Sequence, residues 1–119
     1  MQQTEYDITV PSELQFQRVQ GSSTSNLQVY ANDYMVWVVL NTTASQLPTL
    51  NAWTDIGVTV DEAYRPNYVV ASPVGTQKSN IGIRVNTDGK VQYMNNGSAL
   101  SSGARVTATF FYPRKSALP

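Results

Sequence analysis

Apolar residues recur at every second position along most of this chain, which is the period of a half-buried β-strand. Clusters of Gly, Ser, Asn, Thr and Pro separate these runs, and no stretch has a convincing helical period. About eight short strands at this spacing predict an all-β fold, a single antiparallel β-sandwich or barrel covering 1–119. The predicted strands fall within 5–10, 14–20, 27–31, 34–42, 52–60, 67–74, 80–94 (two strands) and 104–113.

The strongest hairpin signal lies in 80–94, where Asp88-Gly89 stands between two alternating runs. Arg84 falls on the opposite face from the isoleucines of the first run, with Gly82 nearby. It is therefore either a contact on an open polar surface or an ordinary exposed arginine. The residues that share the other face are Ile81, Ile83 and Val85.

The most apolar segment, 34–42, is apolar at both odd and even positions. Such a strand is typical of a sheet that is covered on both sides. This pattern predicts that Trp37 lies in the core. Trp53 stands at a strand start beside polar residues, so it is either a core-edge residue or part of a site.

Composition narrows the possible functions. Charged residues make up only 13% of the 119 residues, and eight basic residues balance eight acidic ones. Without a basic stripe or a long apolar run, we expect neither nucleic-acid binding nor membrane insertion. Cysteine and histidine are absent, which removes thiolate chemistry and the commonest general base and metal ligand.

The spacing of the acidic residues does not resemble that of catalytic or metal-binding carboxylates. Asp61 and Glu62 are adjacent, and neighbours in an extended chain point to opposite faces. No acidic spacing resembles a metal loop. We therefore expect no enzyme activity and no metal or cofactor. The rival hypothesis is a small glycan hydrolase that uses Asp61 or Asp55.

The remaining possibility is the binding of an uncharged polar ligand by aromatic and polar side chains. Two tryptophans and seven tyrosines are many planar groups for this length, and such groups stack on sugar rings while polar side chains bond to hydroxyls. The turn VDEAYRPNY (60–68) holds several of these groups. Pro66 restricts Arg65 to an extended conformation, which predicts a structural corner with Tyr64 at the core edge. Arg65 and Asp61 remain candidates for ligand or subunit contact.

Residues 52–113 resemble, as an ordered set of motifs, the head domain of receptor-binding proteins of siphophages, the baseplate or tail-tip adhesins of the lactococcal type. The set begins with AWTDIGVTV and the turn from Val60 to Pro66, with an aromatic two residues before the proline. A strand with a break at SPVGT follows, then an I-x-I-x-x-x-x-x-G-x-V hairpin from Ile81 to Val91. The loop NNGSALSSG and the strand VTATFFYP end the set. Residues 1–51 supply the additional strands that complete the sandwich.

The resemblance implies a homotrimeric head that binds bacterial cell-wall polysaccharide without cleaving it. It also implies a place in the virion, at the phage tail tip or baseplate, extracellular at host attachment, beside other tail or baseplate proteins. Some of these heads carry a histidine and a tryptophan near the first hairpin strand, where this chain reads GTQKSNIGIRV. The predicted saccharide-binding residues are therefore Trp53, Asp55, Arg65, Lys78, Asn80 and Arg84. The alternative is a structural virion protein whose partner is another virion protein.

Overall fold

The computed structural model describes residues 9–43, 52–73, 81–95 and 105–118. Within these ranges the chain is all-β, as the alternation predicted, and its helical turns are short 3-10 segments at Ser12–Leu14, Glu62–Tyr64 and Lys115–Ala117. Eight strands form two four-stranded antiparallel sheets. The strands are β1 (Gln17–Gln20), β2 (Leu27–Ala31), β3 (Met35–Thr43), β4 (Thr54–Thr59), β5 (Val70–Pro73), β6 (Ile81–Val85), β7 (Lys90–Asn95) and β8 (Arg105–Pro113).

The first sheet has the order β1-β2-β3-β8, and the second has the order β4-β7-β6-β5. The last strand therefore closes the sheet that the first three strands begin. Its partner is β3, and the two strands pair along their whole lengths, from Met35 opposite Pro113 to Thr43 opposite Arg105. The second sheet is built from the middle of the chain and contains the Asp88-Gly89 hairpin that the sequence predicted.

The core lies between the inward faces of the two sheets, whose buried side chains form one cluster. Strand geometry explains which residues enter it, because alternate side chains point to opposite faces. In β6 this places Ile81, Ile83 and Val85 inside and Arg84 outside, as predicted. Full burial of one such aliphatic side chain stabilises the fold by about 1.5–3 kcal/mol. The fully buried residues with the largest side chains include Tyr93, Phe110, Leu40 and Ile83.

Trp37 is not part of this core, and the prediction that placed it there is wrong. Val36 and Val38 point inward, so Trp37 between them points outward and remains partly exposed. Its indole packs against Tyr30, at 4.9 Å between ring centroids, and against Phe16 at 6.3 Å. The outer face of β3 at Trp37 is thus partly covered by aromatic side chains from β2 and from the segment just before β1.

The N-terminal part also differs from the pattern. Most of the strand predicted over 5–10 lies outside the described residues, and 9 and 10 are not in a strand. The strand predicted to begin at Leu14 begins at Gln17, because a 3-10 turn precedes it. In that turn the Leu14 amide donates to the carbonyl of Pro11 at 2.9 Å.

Polar bridges join the sheets at two places. The Gln20 side chain donates from Nε2 to the Thr59 carbonyl at 2.8 Å and accepts from the Asp61 amide at 2.8 Å. The buried Tyr112 hydroxyl donates to the Tyr64 carbonyl at 2.6 Å. Tyr64 itself packs against the edge of the core, as predicted for the corner. Each such bond contributes about 1 kcal/mol net.

Because of Tyr112, the stability of the fold is expected to decrease at alkaline pH. Burial raises the pKa of its hydroxyl above the ordinary value of about 10. The stabilisation is therefore complete below pH 10 and falls as the pH rises further, since the unfolded chain loses this proton first. In urea titrations we expect Tyr112→Phe to lose about 1 kcal/mol at pH 7, with a decline above pH 10 that is shallower by about 1 kcal/mol per pH unit. Identical slopes for the two proteins would contradict this assignment.

Candidate functional site

A polar row crosses the outer face of the second sheet. Asp55 of β4 lies opposite Gln92 of β7, which lies opposite Arg84 of β6, which in turn lies opposite Ala71 of β5. Directly opposed residues of paired strands project to the same side of a sheet. The register therefore brings Asp55 and Arg84, two predicted site residues, onto one surface, which we call the second-sheet surface.

Trp53 joins this surface. The guanidinium carbon of Arg84 lies 4.2 Å from the centroid of the Trp53 ring, a stacked cation–π arrangement. Gly82 makes room for the indole, because a Cβ at that position would lie 3.2 Å from the Trp53 Cη2 atom. The glycine beside Arg84 thus allows the ring to approach the sheet, and the indole remains partly exposed. Trp53 is accordingly a surface residue.

Gln92 organises the hydrogen bonds of the surface. Its Oε1 atom accepts from Arg84 Nε at 3.0 Å, from Arg84 Nη2 at 2.8 Å and from Asn86 Nδ2 at 2.9 Å. Its Nε2 atom donates to Asp55 Oδ1 at 2.7 Å. The other Asp55 oxygen lies 3.9 Å from Lys90 Nζ, a weak contact between two half-exposed side chains. The network fixes both Arg84 and Asp55 before any ligand arrives.

Gln92 is not among the site residues that the sequence predicts. A signal was available, because the Asp88-Gly89 hairpin sets the register that places Gln92 opposite Arg84. Asp55 could not be linked to this pair from the sequence. It comes from a strand that is distant in the chain and reaches Gln92 only through the order of strands in the sheet.

The other predicted site residues are not part of this network. Arg65 donates from Nε to the Val60 carbonyl at 2.9 Å, and its side chain lies against Gly89. It therefore holds the corner, which gives it a structural role. Lys78 and Asn80 lie outside the described residues.

A second surface feature is aromatic. Across the outer face of the first sheet runs the register row Arg18, Tyr30, Trp37 and Phe111. Phe16 packs beside it, 5.6 Å from Phe111 between ring centroids. More than half of the Phe111 side chain is exposed, at 54%. This aromatic row is a cluster of apolar groups in contact with solvent.

The second-sheet surface carries several kinds of side-chain group. It combines a partly exposed indole, a guanidinium and a carboxylate with amide groups that hold them in place. Among the described residues, no cluster of three or more potential metal-binding side chains occurs. Nor does that part of the chain include a helix with the length and hydropathy needed to span a membrane.

Comparison with known proteins gives no family. No protein-family model matches the chain, and no curated protein sequence matches it.

Proposed function

We propose that this chain is a non-enzymatic recognition domain that binds a polar saccharide of the bacterial cell wall on its second-sheet surface. The observation that carries the proposal is the stack of Arg84 on Trp53 beside the ordered Asp55–Gln92 pair. Sugar rings present C–H faces that pack on an indole, and their hydroxyls accept from guanidinium groups and donate to carboxylates. One fixed surface thus offers both kinds of contact.

Prior ordering of the polar groups favours binding. Side chains that are immobilised on association lose about 0.5–1.5 kcal/mol each in rotamer freedom. Arg84 and Asp55 are already held by Gln92, with bonds of 2.7–3.0 Å. Much of this entropic cost is therefore met in the free protein, which suits a ligand that makes only a few hydrogen bonds.

The biological setting that we propose is phage adsorption, with a homotrimeric head at the tail tip or baseplate of a virion. Two features support it. Residues 52–113 resemble the adhesin heads as an ordered set of motifs. The exposed aromatic row on the first sheet offers an apolar area for contact with other copies of the chain or with other tail proteins.

The test is binding of the purified chain to a panel of Gram-positive cell-wall polysaccharides, measured by calorimetry. We expect Trp53→Ala to weaken binding at least about tenfold, because stacking and part of the Arg84 positioning are lost. Tyr34→Ala is the matched control, since Tyr34 is an aromatic residue that is 50% exposed and lies on the other sheet's hairpin. Equal effects of the two substitutions would contradict the proposed site.

Light scattering tests the assembly, for which we expect three copies. A monomer that binds no envelope fraction would overturn the adsorption proposal as a whole.

A structural virion protein is the second candidate, and the aromatic row is the observation that favours it. Phe111, Trp37 and Phe16 form a contiguous apolar group of the kind that protein partners cover. Specific association with another virion protein in pull-down experiments, together with no affinity for any polysaccharide, would favour this candidate over saccharide recognition.

A further inference from the structure

A cleft of about 390 Å³ opens at the end of the first sheet, away from the second-sheet surface. Its walls come from the loop 22–26 and from the adjoining ends of β2, β3 and β8. Its described lining consists of hydroxyl and amide side chains, with Arg105 as the one charged residue. Neither aromatic nor acidic side chains contribute to this described lining.

Among the described residues the Arg105 guanidinium makes a single hydrogen bond, so most of its N–H donors have no partner in that part of the chain. Its Nη1 atom donates to Asn41 Oδ1 at 2.6 Å, which anchors the guanidinium on the neighbouring strand. Arg105 forms no ion pair with a carboxylate among the described residues, where the ion pair is that of Lys90 with Asp55. A guanidinium carries five N–H donors in a fixed fork that matches a carboxylate or a phosphate. Arg105 therefore presents positive charge at a cleft whose other described lining residues are neutral.

The walls of the cleft are ordered by their own hydrogen bonds. Gln28 Oε1 accepts from the Tyr30 hydroxyl at 2.6 Å, which orients the amide group. The Ser22 amide donates to Ser25 Oγ at 2.8 Å, which closes the loop on itself. The Asn41 amide donates to the Asn26 carbonyl at 2.7 Å, which ties β3 to that loop. A ligand thus meets polar groups that are already positioned.

We propose that this cleft is a second binding site, for a hydroxylated ligand of one or two sugar units that carries a carboxylate or phosphate group. The volume lies within the range of small-molecule sites, about 300–1,000 Å³. The neutral lining suits hydroxyl groups, and the anion pairs with Arg105 through charge-assisted hydrogen bonds. This site is independent of the proposed function, because it shares no residue with the second-sheet surface.

The experiment is calorimetric titration of the full chain with three probes, namely glucuronate, glucose 6-phosphate and glucose. We expect at least one anionic probe to bind about tenfold or more tightly than glucose, because each charge-assisted bond outweighs a neutral one. Binding of glucuronate alone identifies an acidic sugar as the source of the charge, and binding of glucose 6-phosphate alone identifies a sugar phosphate. Equal affinity for all three probes, or no binding of either anion at millimolar concentration, overturns the proposal.

Substitutions test whether the anionic probe binds in this cleft. Arg105→Gln is expected to weaken binding of the anionic probe about tenfold or more, and Arg105→Lys is expected to retain part of it, since it keeps the charge without the fork. Tyr34→Ala is the control, because Tyr34 is exposed and belongs neither to the cleft nor to the second-sheet surface, and it is expected to leave this affinity unchanged. Loss of anion binding in Trp53→Ala but not in Arg105→Gln would overturn the location. The comparison of probes on the unmodified chain holds even if a variant fails to fold.

Discussion

Gly89→Ala is expected to destabilise the fold by about 3–4 kcal/mol in urea unfolding. Gly89 has a φ of +85°, a conformation that side-chain-bearing residues rarely adopt. A Cβ there would also lie 2.5 Å from the Val60 carbonyl oxygen and 2.6 Å from Arg65 Nε. The backbone strain and the steric clash therefore both destabilise the fold. The clash also disturbs the hydrogen bond between Arg65 Nε and the Val60 carbonyl, which holds the corner.

Gly57→Ala is the matched control. Gly57 has a φ of +98°, but a Cβ there would meet nothing within 4 Å. Its substitution is expected to cost about 1–2 kcal/mol, which is the strain alone. If Gly89→Ala proves no more costly than Gly57→Ala, the contact of Gly89 with the corner does not contribute to stability.

This contact also defines the role of Arg65. The Val60 amide donates to the Gly89 carbonyl at 2.9 Å, and the Val60 carbonyl accepts from Arg65 Nε at 2.9 Å. The Val60 backbone therefore connects the corner to the tip of the β6–β7 hairpin, and Arg65 holds the Val60 carbonyl in place. The sequence suggested Arg65 as a ligand contact, and the structure gives its guanidinium a partner in the backbone.

Asn32→Ala is expected to destabilise the protein by about 3 kcal/mol. Asn32 is buried at the β2–β3 turn, and its Oδ1 accepts from the amides of Tyr34 at 2.8 Å and Met35 at 2.7 Å. Its Nδ2 donates to the Leu14 carbonyl at 3.1 Å, which ties the N-terminal turn to the hairpin. Alanine removes three hydrogen bonds and leaves backbone groups without these partners. Chemical denaturation gives the difference in unfolding free energy.

Asn32→Asp separates the two functions of this side chain. Aspartate keeps an oxygen for the two amides, but its second carboxylate oxygen takes the place of the donor and repels the Leu14 carbonyl at a buried position, so we expect a cost of about 2 kcal/mol. If Asn32→Asp is as costly as Asn32→Ala, the two bonds from Oδ1 to the turn amides contribute little to the stability.

The fold was largely predictable because alternation and turn chemistry are local. The hairpin at Asp88-Gly89 forms where the sequence predicts it, because Gly89 can adopt the positive φ that this turn requires. Trp37 was misplaced because an apolar residue flanked by apolar residues gives no sign of which face is inward. Phe16 and Tyr30, which cover it, come from other segments.

The candidate site was predictable in part. Trp53, Asp55 and Arg84 were chosen for their chemistry, and the structure brings these three onto one surface. Gln92 holds two of them, but a glutamine shows no site chemistry of its own, and its position opposite Arg84 follows only from the register of the hairpin. Its importance follows from the side chains that lie beside it.

The sequence by itself determined the strand period, the main turns and the lack of histidine and cysteine chemistry, because these depend on neighbours within a few residues. Only the tertiary structure decided which faces are inward, which polar groups meet and where Arg105 stands unpaired by a described carboxylate. The order in which the strands pair within each sheet decides these features. It joins strands that are far apart in the chain, such as β3 and β8, through backbone groups that are the same in every residue.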